Sequence, residues 1–238
     1  MSLVKAAIHA FEDAPMPDAV SRVAIDFLVG DARRRLGRAP PGASAAFARE
    51  MEARPIATHT DAANAQHYEL PAPFFEAVLG PNLKYSSGLY PPGATTLAEG
   101  EAAALRETAE HADLRDGQTI LELGCGWGSL SLWMAARYPK AQITSVSNSA
   151  SQRAFIEARA AARGLDNLTV VTADMNDFQT DQRFDRVVSV EMFEHMSNWR
   201  ALLTRVNGWL KPDGLLFIHV FTHRNTPYRF DVNDPADW

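Results

Sequence analysis

The sequence predicts an α/β fold built on a parallel sheet with helices on both of its faces. From Thr119 onward, short β-branched runs alternate with amphipathic segments of helix length, which is the pattern of successive βαβ units. A glycine-rich turn follows the first of these runs directly, at the point where a strand leads into a helix. Five strands are expected, in the order Thr119–Leu123, Gln142–Val146, Leu168–Thr172, Phe184–Val190 and Leu215–Phe221.

The segments between the strands have helical periodicity and end at helix stop signals. One helix is expected from about Ser129 to Tyr138, before Pro139. Another is expected from Gln152 to Arg163, before Gly164. A third helix precedes the fifth strand, and the run Lys211-Pro212-Asp213-Gly214 is expected to turn the chain back into that strand. The apolar face of this third helix consists of Leu202, Leu203, Val206, Trp209 and Leu210.

The part of the chain before Thr119 is expected to be largely helical. Residues 1 to 66 are interpreted as an appended N-terminal helical segment that contains a break at Pro40-Pro41-Gly42. Residues 67 to 238 form the predicted core domain, and Thr96-Leu97-Ala98-Glu99 predicts a capping box for a helix that reaches about His111. The apolar residues at helical spacing in these two parts are Val20, Val23, Ala24, Phe27 and Leu28, and then Phe74, Phe75, Val78 and Leu79.

The composition is that of an ordinary globular protein with one main domain. Of the 238 residues, 46% are hydrophobic and 22% are charged, which is enough for one sizeable core. The net charge of −6, with Arg33-Arg34-Arg35 as the densest basic run, argues against nucleic acid as a partner. The single cysteine, Cys125, excludes an internal disulfide, so a reducing, cytoplasmic location is expected. No apolar run approaches the length of about 20 residues that crosses a bilayer, and no signal-peptide pattern is present.

The glycine-rich turn after the first strand is the first candidate for ligand binding. In open α/β sheets, ligands bind beyond the carboxyl ends of the strands. Gly124, Gly126 and Gly128 place no β-carbons there, so a ligand can approach the backbone and the free N–H groups at the start of a helix. The spacing Gly-x-Gly-x-Gly differs from the Gly-x-Gly-x-x-Gly of dinucleotide-binding turns, which argues against a nicotinamide-dependent oxidoreductase.

Polar residues follow the second and third strands at the same edge of the sheet. Ser147-Asn148-Ser149, with Gln152 one turn further on, stands where a dinucleotide-binding protein is expected to have an acid, so the nicotinamide alternative weakens further. After the third strand, the carboxylate of Asp174 could accept a hydrogen bond from an adenine amino group while Met175 packs on the ring. A helix N-cap is an equally good interpretation of Asp174.

Three ionisable residues, Glu191, Glu194 and His195, follow the fourth strand within five positions. A surface turn would explain one of them but not all three after the apolar run Val187–Val190, so a functional cluster is the favoured interpretation. His195 has no companion at a recognised metal-binding spacing, and no metal site is expected.

With these residues in place, the chain resembles the cyclopropane fatty acid synthase family of class I methyltransferases that depend on S-adenosylmethionine, and most closely its coclaurine N-methyltransferase-like branch. The resemblance runs from about His67 to the end of the chain. It rests on Lys84-Tyr85-Ser86, Glu122 to Gly128, Ser147-Asn148-Ser149 with Gln152, Glu191 to His195, and Gly214-Leu215-Leu216-Phe217 followed by His223. It implies a Rossmann-like class I methyltransferase sheet, with S-adenosyl-L-methionine as the cofactor and the glycine turn under its methionine end.

The resemblance also implies roles for individual residues. Glu194 and His195 are expected to act on the substrate, with Glu191 as a further carboxylate near the acceptor. His219 stands where the cyclopropane synthases hold bicarbonate with a histidine, whereas Ser87 replaces the cysteine of that site, a departure that counts against cyclopropanation. The residues expected to line the cofactor site are Tyr85, Ser86, Glu122, Gly124, Gly126, Gly128, Ser147, Asn148, Gln152, Asp174 and Met175.

The expected reaction is the N-methylation of a small amine. Glu194 and His195 would accept the proton of the amine and Glu191 would stabilise the developing ammonium. The alternative is methylation of an unsaturated lipid, as in a cyclopropane-fatty-acyl-phospholipid synthase, which would involve peripheral contact with a membrane surface.

The end of the chain leads to a third hypothesis. Class I methyltransferases close their sheet with a sixth and a seventh strand, whereas only 17 residues follow Phe221. Five strands are thus visible, and the sixth and seventh are expected to be missing from a truncated chain. Such a chain would be a non-catalytic fragment that binds the cofactor.

Overall fold

The computed structural model describes residues 17–37, 40–58, 70–223 and 227–228. The helices are α1 (Asp18–Leu36), α2 (Ala43–Glu52), α3 (Ala72–Val78), α4 (Leu97–His111), α5 (Ser129–Arg137), α6 (Ala150–Ala162) and α7 (Trp199–Trp209). The strands are β1 (Thr119–Leu123), β2 (Gln142–Ser147), β3 (Leu168–Thr172), β4 (Phe184–Val190) and β5 (Leu210–His219). A short 3₁₀ helix, Phe193–His195, lies between β4 and α7.

The strands form one parallel sheet in the order β3-β2-β1-β4-β5. β1 is therefore central, and the chain order reverses between β1 and β4, where α/β sheets form a ligand-binding crevice at their carboxyl ends. β1, β3 and β4 have the bounds expected from the sequence, and β2 extends one residue further, to Ser147. The predicted fold class is confirmed.

The fifth strand differs from the expectation at both ends. It spans Leu210–His219 rather than Leu215–Phe221. Leu210 pairs with Phe184 and Leu215 pairs with Arg186, so residues 211–214 leave the ladder between two paired positions. The run that was expected to form a turn before the strand is therefore a bulge within it. The bulge packs closely on β4, because a Cβ on Gly214 would lie 2.8 Å from the carbonyl oxygen of Phe184.

Helices on both faces bury the central strand of the sheet. Leu121 and Leu123 belong to a buried cluster with residues of α7, whereas Ile120 belongs to a cluster with residues of α4 and α5. All three side chains are fully buried, as expected for a central parallel strand. Each contributes about 1.5–3 kcal/mol by leaving water. The loops at the carboxyl edge are thus attached to a well-packed support.

The start of α4 confirms the predicted capping box. The Thr96 hydroxyl accepts a hydrogen bond from Glu99 N at 3.3 Å, and the Glu99 carboxylate accepts one from Thr96 N at 2.9 Å. The helix ends at His111, as expected.

The chain divides into two compact units. One comprises Met51–Phe221 and contains the sheet, and the other includes the described residues 17–37, 40–50, 222–223 and 227–228. In the second unit, the expected break at residues 40–42 separates α1 from α2, and Gly42 has a left-handed φ of 82°. α1 exposes Val23 and Phe27. The boundary expected at residue 66 lies within 59–69, outside the described residues. Across the described ranges, no helix is both long and apolar enough to cross a membrane.

Candidate active site

The glycine turn after β1 packs tightly at both ends and is open in the middle. Gly124, Gly126 and Gly128 have left-handed φ values of 80°, 52° and 80°, which only glycine adopts at little cost. A Cβ on Gly124 would lie 2.7 Å from Met192 Cβ, and one on Gly128 would lie 2.6 Å from Ile156 Cγ1. A Cβ on Gly126 would meet nothing within 4 Å. The middle glycine therefore presents its backbone to open space.

Several N–H groups of this turn are not free, contrary to the expectation from the sequence. Gly124 N and Cys125 N both donate to the carbonyl oxygen of Val146, at 3.0 and 3.1 Å, and Gly128 N donates to Cys125 O at 2.9 Å. Val146 pairs with Leu123 at the end of β1, so its carbonyl reaches the next two residues. The two bonds to Val146 fix the turn to β2.

Glu122, which was expected in the cofactor site, lies in the protein interior. Its carboxylate is buried, and Oε2 accepts hydrogen bonds from the hydroxyls of Ser131 on α5 and Ser145 on β2, the latter at 2.9 Å. Burial raises the pKa of Glu122 to about 7, although the two serine hydroxyls oppose the shift. In this structure Glu122 joins β1 to β2 and α5.

The residues after β2 include a buried donor that has no partner among the residues the structure describes. Ser149 caps α6 by accepting a hydrogen bond from Gln152 N at 3.3 Å. The Ser147 hydroxyl donates to Gln152 Oε1 at 2.7 Å. Gln152 is 2% exposed, and its Nε2 has no hydrogen-bond partner within the described part of the chain. Because an unpartnered buried donor is unfavourable by about 1–3 kcal/mol, Gln152 is a strong candidate for binding a ligand. Asn148 lies between these residues and is half-buried.

The loop after β3 is stabilised by local hydrogen bonds. Asp174 Oδ1 accepts a hydrogen bond from Asn176 N at 2.7 Å and opens a turn, so its geometry is close to the N-cap interpretation, although no helix follows. Met175 is 8% exposed and belongs to the core cluster of Leu121. Asn176 was not identified from the sequence. Its carboxamide bonds both the N–H and the carbonyl of Ala57, each at 3.1 Å, and so attaches the segment before the sheet to this loop.

Glu191, directly after β4, has an unusual backbone and a defined side-chain contact. Its φ is 54°, a left-handed value that is unfavourable by about 1–3 kcal/mol for a non-glycine residue and is often found at functional sites. Its N–H donates to the carbonyl of His219 at 2.7 Å, which brings these two predicted residues together through the backbone. Glu191 Oε1 accepts hydrogen bonds from Ser87 N at 3.4 Å and Ser87 Oγ at 3.3 Å.

The other two residues of the predicted cluster lie in the 3₁₀ helix. Glu194 Oε2 is buried and has no hydrogen-bond partner among the described residues, whereas Oε1 lies 3.5 Å from Phe221 N. The His195 side chain is exposed, and the backbone N–H of His195 donates to the carbonyl oxygen of Met192 at 3.0 Å. Glu194 therefore offers a carboxylate oxygen that is shielded from water and available to a donor.

An aromatic row connects the predicted residue Tyr85 to the glycine turn. Tyr85 meets Phe75 edge to face at a centroid distance of 5.3 Å, and Phe75 packs on Trp127 at 4.8 Å. Trp127 belongs to the glycine turn and is 3% exposed, and its Nε1 lacks a hydrogen-bond partner in the ranges described. Ser86, which follows Tyr85 in the sequence, accepts a hydrogen bond from the ammonium of Lys84.

Two buried charged residues of this region, Lys84 and Glu101, were not assigned roles from the sequence. Glu101 does carry a signal that could have identified it. It lies on the same helical face as Leu105, Thr108 and Ala112, all of which are buried, so the pattern of α4 places a carboxylate at a core position. Within the described residues, no group of three or more His, Cys, Asp or Glu side chains could hold a metal ion.

Comparison with known proteins supports the family and the fold. Residues 57–235, more than half of the chain, match the mycolic acid cyclopropane synthetase family. The chain is 38% identical to (S)-coclaurine N-methyltransferase of Papaver somniferum over 183 residues, which are 77% of this chain and 52% of that protein. It is 33% identical to the cyclopropane-fatty-acyl-phospholipid synthase of Escherichia coli (strain K12) over 168 residues, 70% of this chain and 42% of that protein. The chain spans about half the length of the curated relatives it matches.

Solved structures of an N-methyltransferase and a cyclopropane synthase are also similar to this chain. Coclaurine N-methyltransferase bound to N-methylheliamine and SAH is 32% identical, with a TM-score of 0.80 over 92% of this chain and 69% of that chain. The cyclopropane synthase MmaA2 from Mycobacterium tuberculosis is 28% identical, with a TM-score of 0.61 over 69% of this chain and 57% of that chain. The resemblance stated from the sequence is confirmed. The chain belongs to the mycolic acid cyclopropane synthetase family.

Proposed function

We propose that this chain carries the cofactor and acceptor sites of an S-adenosylmethionine-dependent methyltransferase that methylates a small amine. The observation that carries the proposal is the close approach of Gly124 to Met192, which brings the glycine turn against the loop that holds Glu191, Glu194 and His195. A methyl donor at the first loop and an acceptor at the second would be neighbours, as in-line transfer requires. The (S)-coclaurine N-methyltransferases among the relatives support an amine as the acceptor.

The residues around the glycine turn fit S-adenosylmethionine. Gly126 leaves the backbone open, and Gln152 offers a buried N–H donor that has no partner in the described chain. Ser147 holds the other end of that amide, so the donor is kept in one orientation. The backbone at Gly126 and the side-chain amide of Gln152 are both neutral and suit the hydroxyls of a ribose. When bound, S-adenosylmethionine supplies an electrophilic methyl group on a positively charged sulfur.

The acceptor side of the proposal assigns one task to each residue of the loop after β4. Glu194 and His195 take the proton of the amine, directly or through water, so that the nitrogen is unprotonated when it attacks. Glu194 suits this task because its buried Oε2 has no donor among the described residues. Glu191, which is held by Ser87, stabilises the positive charge that develops on the nitrogen.

Substitutions in the loop after β4, residues 191–195, which we call the acceptor loop, test its role independently of cofactor binding. Glu194→Gln and His195→Ala should each abolish methylation of an amine acceptor such as (S)-coclaurine, because each removes one member of the pair that takes the proton. Both variants should bind S-adenosylhomocysteine in calorimetry as the unsubstituted chain does, since neither residue is proposed to touch the cofactor. Full turnover by both variants would show that the assignment of the base is wrong.

Methylation of an unsaturated lipid is the second candidate, and the cyclopropane-fatty-acyl-phospholipid synthases among the relatives support it. One contact favours the amine for this chain. Ser87, which replaces the cysteine expected at a bicarbonate site, donates both its N–H and its hydroxyl to Glu191. A role for His219 in holding bicarbonate stays a prediction. A reducing location such as the cytoplasm also stays a prediction from the single cysteine, which is buried.

A further inference from the structure

Two buried charges, Lys84 and Glu101, have no role in the reaction proposed above. Lys84 is 6% exposed and Glu101 is 1% exposed. Removing a charge from water is strongly unfavourable unless hydrogen bonds and an opposite charge replace the lost hydration. The partners of these two side chains therefore indicate what their burial achieves.

Glu101 organises the loop between α3 and Lys84. Its Oε1 accepts hydrogen bonds from Gly80 N at 2.9 Å and Lys84 N at 3.1 Å, and its Oε2 accepts one from Asn82 N at 2.9 Å. The loop is closed around the carboxylate, because a Cβ on Gly80 would lie 2.5 Å from Glu101 Oε2. Leu83 adopts a left-handed φ of 50° in the same loop. One carboxylate thus fixes the direction in which the chain enters the segment from Lys84 to Ser87.

Lys84 continues this arrangement into the cofactor site. Its ammonium donates to the hydroxyl of Ser86, one of the residues expected to bind the cofactor. Burial lowers the pKa of Lys84, and attraction by Glu191 and Glu101 opposes that shift. Ser87 then binds the Glu191 carboxylate through its N–H and its hydroxyl. The contacts form an unbroken path from α4 through Lys84 to the end of β4.

We infer that Glu101 and Lys84 are positioning residues for the cofactor site, with Glu101 folding the loop and Lys84 orienting the Ser86 hydroxyl. The inference rests on the proposed function, because it concerns the same cofactor. Neither side chain needs to touch S-adenosylmethionine. Their effect reaches the ligand through Ser86, which makes the inference separable from a general role in stability.

A double-mutant cycle tests this path with S-adenosylhomocysteine as the probe. Lys84→Met and Ser86→Ala should each weaken binding by about tenfold, the effect of losing one charge-assisted hydrogen bond. The double variant should bind S-adenosylhomocysteine no more weakly than the single variant with the lower affinity, because each substitution removes the hydrogen bond between Lys84 and Ser86. Lys84→Arg, which keeps a charged donor, should restore part of the affinity. Binding should be measured well below the melting temperature of each variant, because Lys84→Met leaves the buried Glu101 carboxylate without a nearby opposite charge.

Glu101→Gln provides the second arm of the test. The amide replaces one acceptor oxygen with a donor that opposes one of the three loop N–H groups, so binding of S-adenosylhomocysteine should weaken by about tenfold. Matched controls are Glu110→Gln on the exposed face of the same helix and Lys140→Met on the surface, which should leave the affinity unchanged.

Two outcomes would contradict the inference in different ways. Strictly additive losses in the cycle, or losses that simply follow a fall in melting temperature, would overturn the positioning role while the proposed function stands. Failure of the unsubstituted chain to bind S-adenosylhomocysteine would overturn both.

Discussion

The contact between the glycine turn and the acceptor loop can be tested by adding one methyl group at Gly124. In Gly124→Ala the new Cβ would lie 2.7 Å from both Cβ and Cγ of Met192. Met192 Cβ is attached to the backbone, so rotation of the Met192 side chain cannot relieve the overlap. The turn or the acceptor loop must therefore move.

The magnitude follows from two separate effects. A left-handed φ of 80° at a residue with a Cβ is unfavourable by about 1–2 kcal/mol. Forcing an extra carbon into a packed contact adds about 1–3 kcal/mol. Gly117 is a matched control, because its φ is 83° and a Cβ there would meet nothing within 4 Å. Gly117→Ala should therefore show the first effect alone.

The assay combines urea denaturation with calorimetric binding of S-adenosylhomocysteine. Gly124→Ala should be about 1–3 kcal/mol less stable than Gly117→Ala and should bind S-adenosylhomocysteine markedly more weakly, whereas Gly117→Ala should bind it normally. Equal stability of the two variants together with equal binding would refute the contact on which the proposed function depends.

Three further predictions concern stability. Burial raises the pKa of Glu122 from 4.5 to about 7, so between these pH values the folded chain holds a proton that the unfolded chain releases. The free energy of unfolding should therefore fall by on the order of 3 kcal/mol as pH rises from 4.5 to 7. Urea denaturation should find this fall reduced in Glu122→Gln, and an identical pH dependence in both proteins would contradict the prediction. Leu202→Ala should lose about 2–5 kcal/mol because Leu202 is completely buried against the sheet, whereas its neighbour Leu203, which is 38% exposed, should lose far less on the same change. Asn176→Ala should lose about 1–3 kcal/mol, since it leaves the N–H and carbonyl of Ala57 without their partner, and the exposed Asn207→Ala is the control; equal losses at both positions would argue against the attachment.

The bounds of β1, β3 and β4 could be predicted because each is a short β-branched or apolar run next to a turn signal. The start of β5 could not. Leu210 continues the apolar periodicity of α7, and only its pairing with Phe184, a residue 26 positions earlier, identifies it as a strand residue. Local patterns do not contain such a long-range pairing, and the bulge at residues 211–214 resembles a turn in sequence.

The candidate site shows the same division between local and tertiary information. Gly124, Gln152, Glu191 and Glu194 could be selected from the sequence by their types, their places after predicted strands and the family resemblance. The hydrogen-bond partners of Gly124 and Glu191 lie in distant parts of the chain, because the N–H of Gly124 donates to the carbonyl of Val146 and the Glu191 carboxylate accepts from Ser87. Glu101 was missed because a carboxylate within a helix is normally exposed. Its burial depends on a loop that starts 21 residues earlier, at Gly80.

Methyl transfer to an amine can be measured directly by analysing the products. The protein would be incubated with S-adenosylmethionine, a panel of amines that includes (S)-coclaurine, and vesicles of an unsaturated phospholipid, and all products would be examined by mass spectrometry. We predict one added methyl group on an amine, no change in the lipid and no product in Glu194→Gln. Methylated lipid with unchanged amines, or the absence of any methylated product, would show that the proposed N-methylation is wrong.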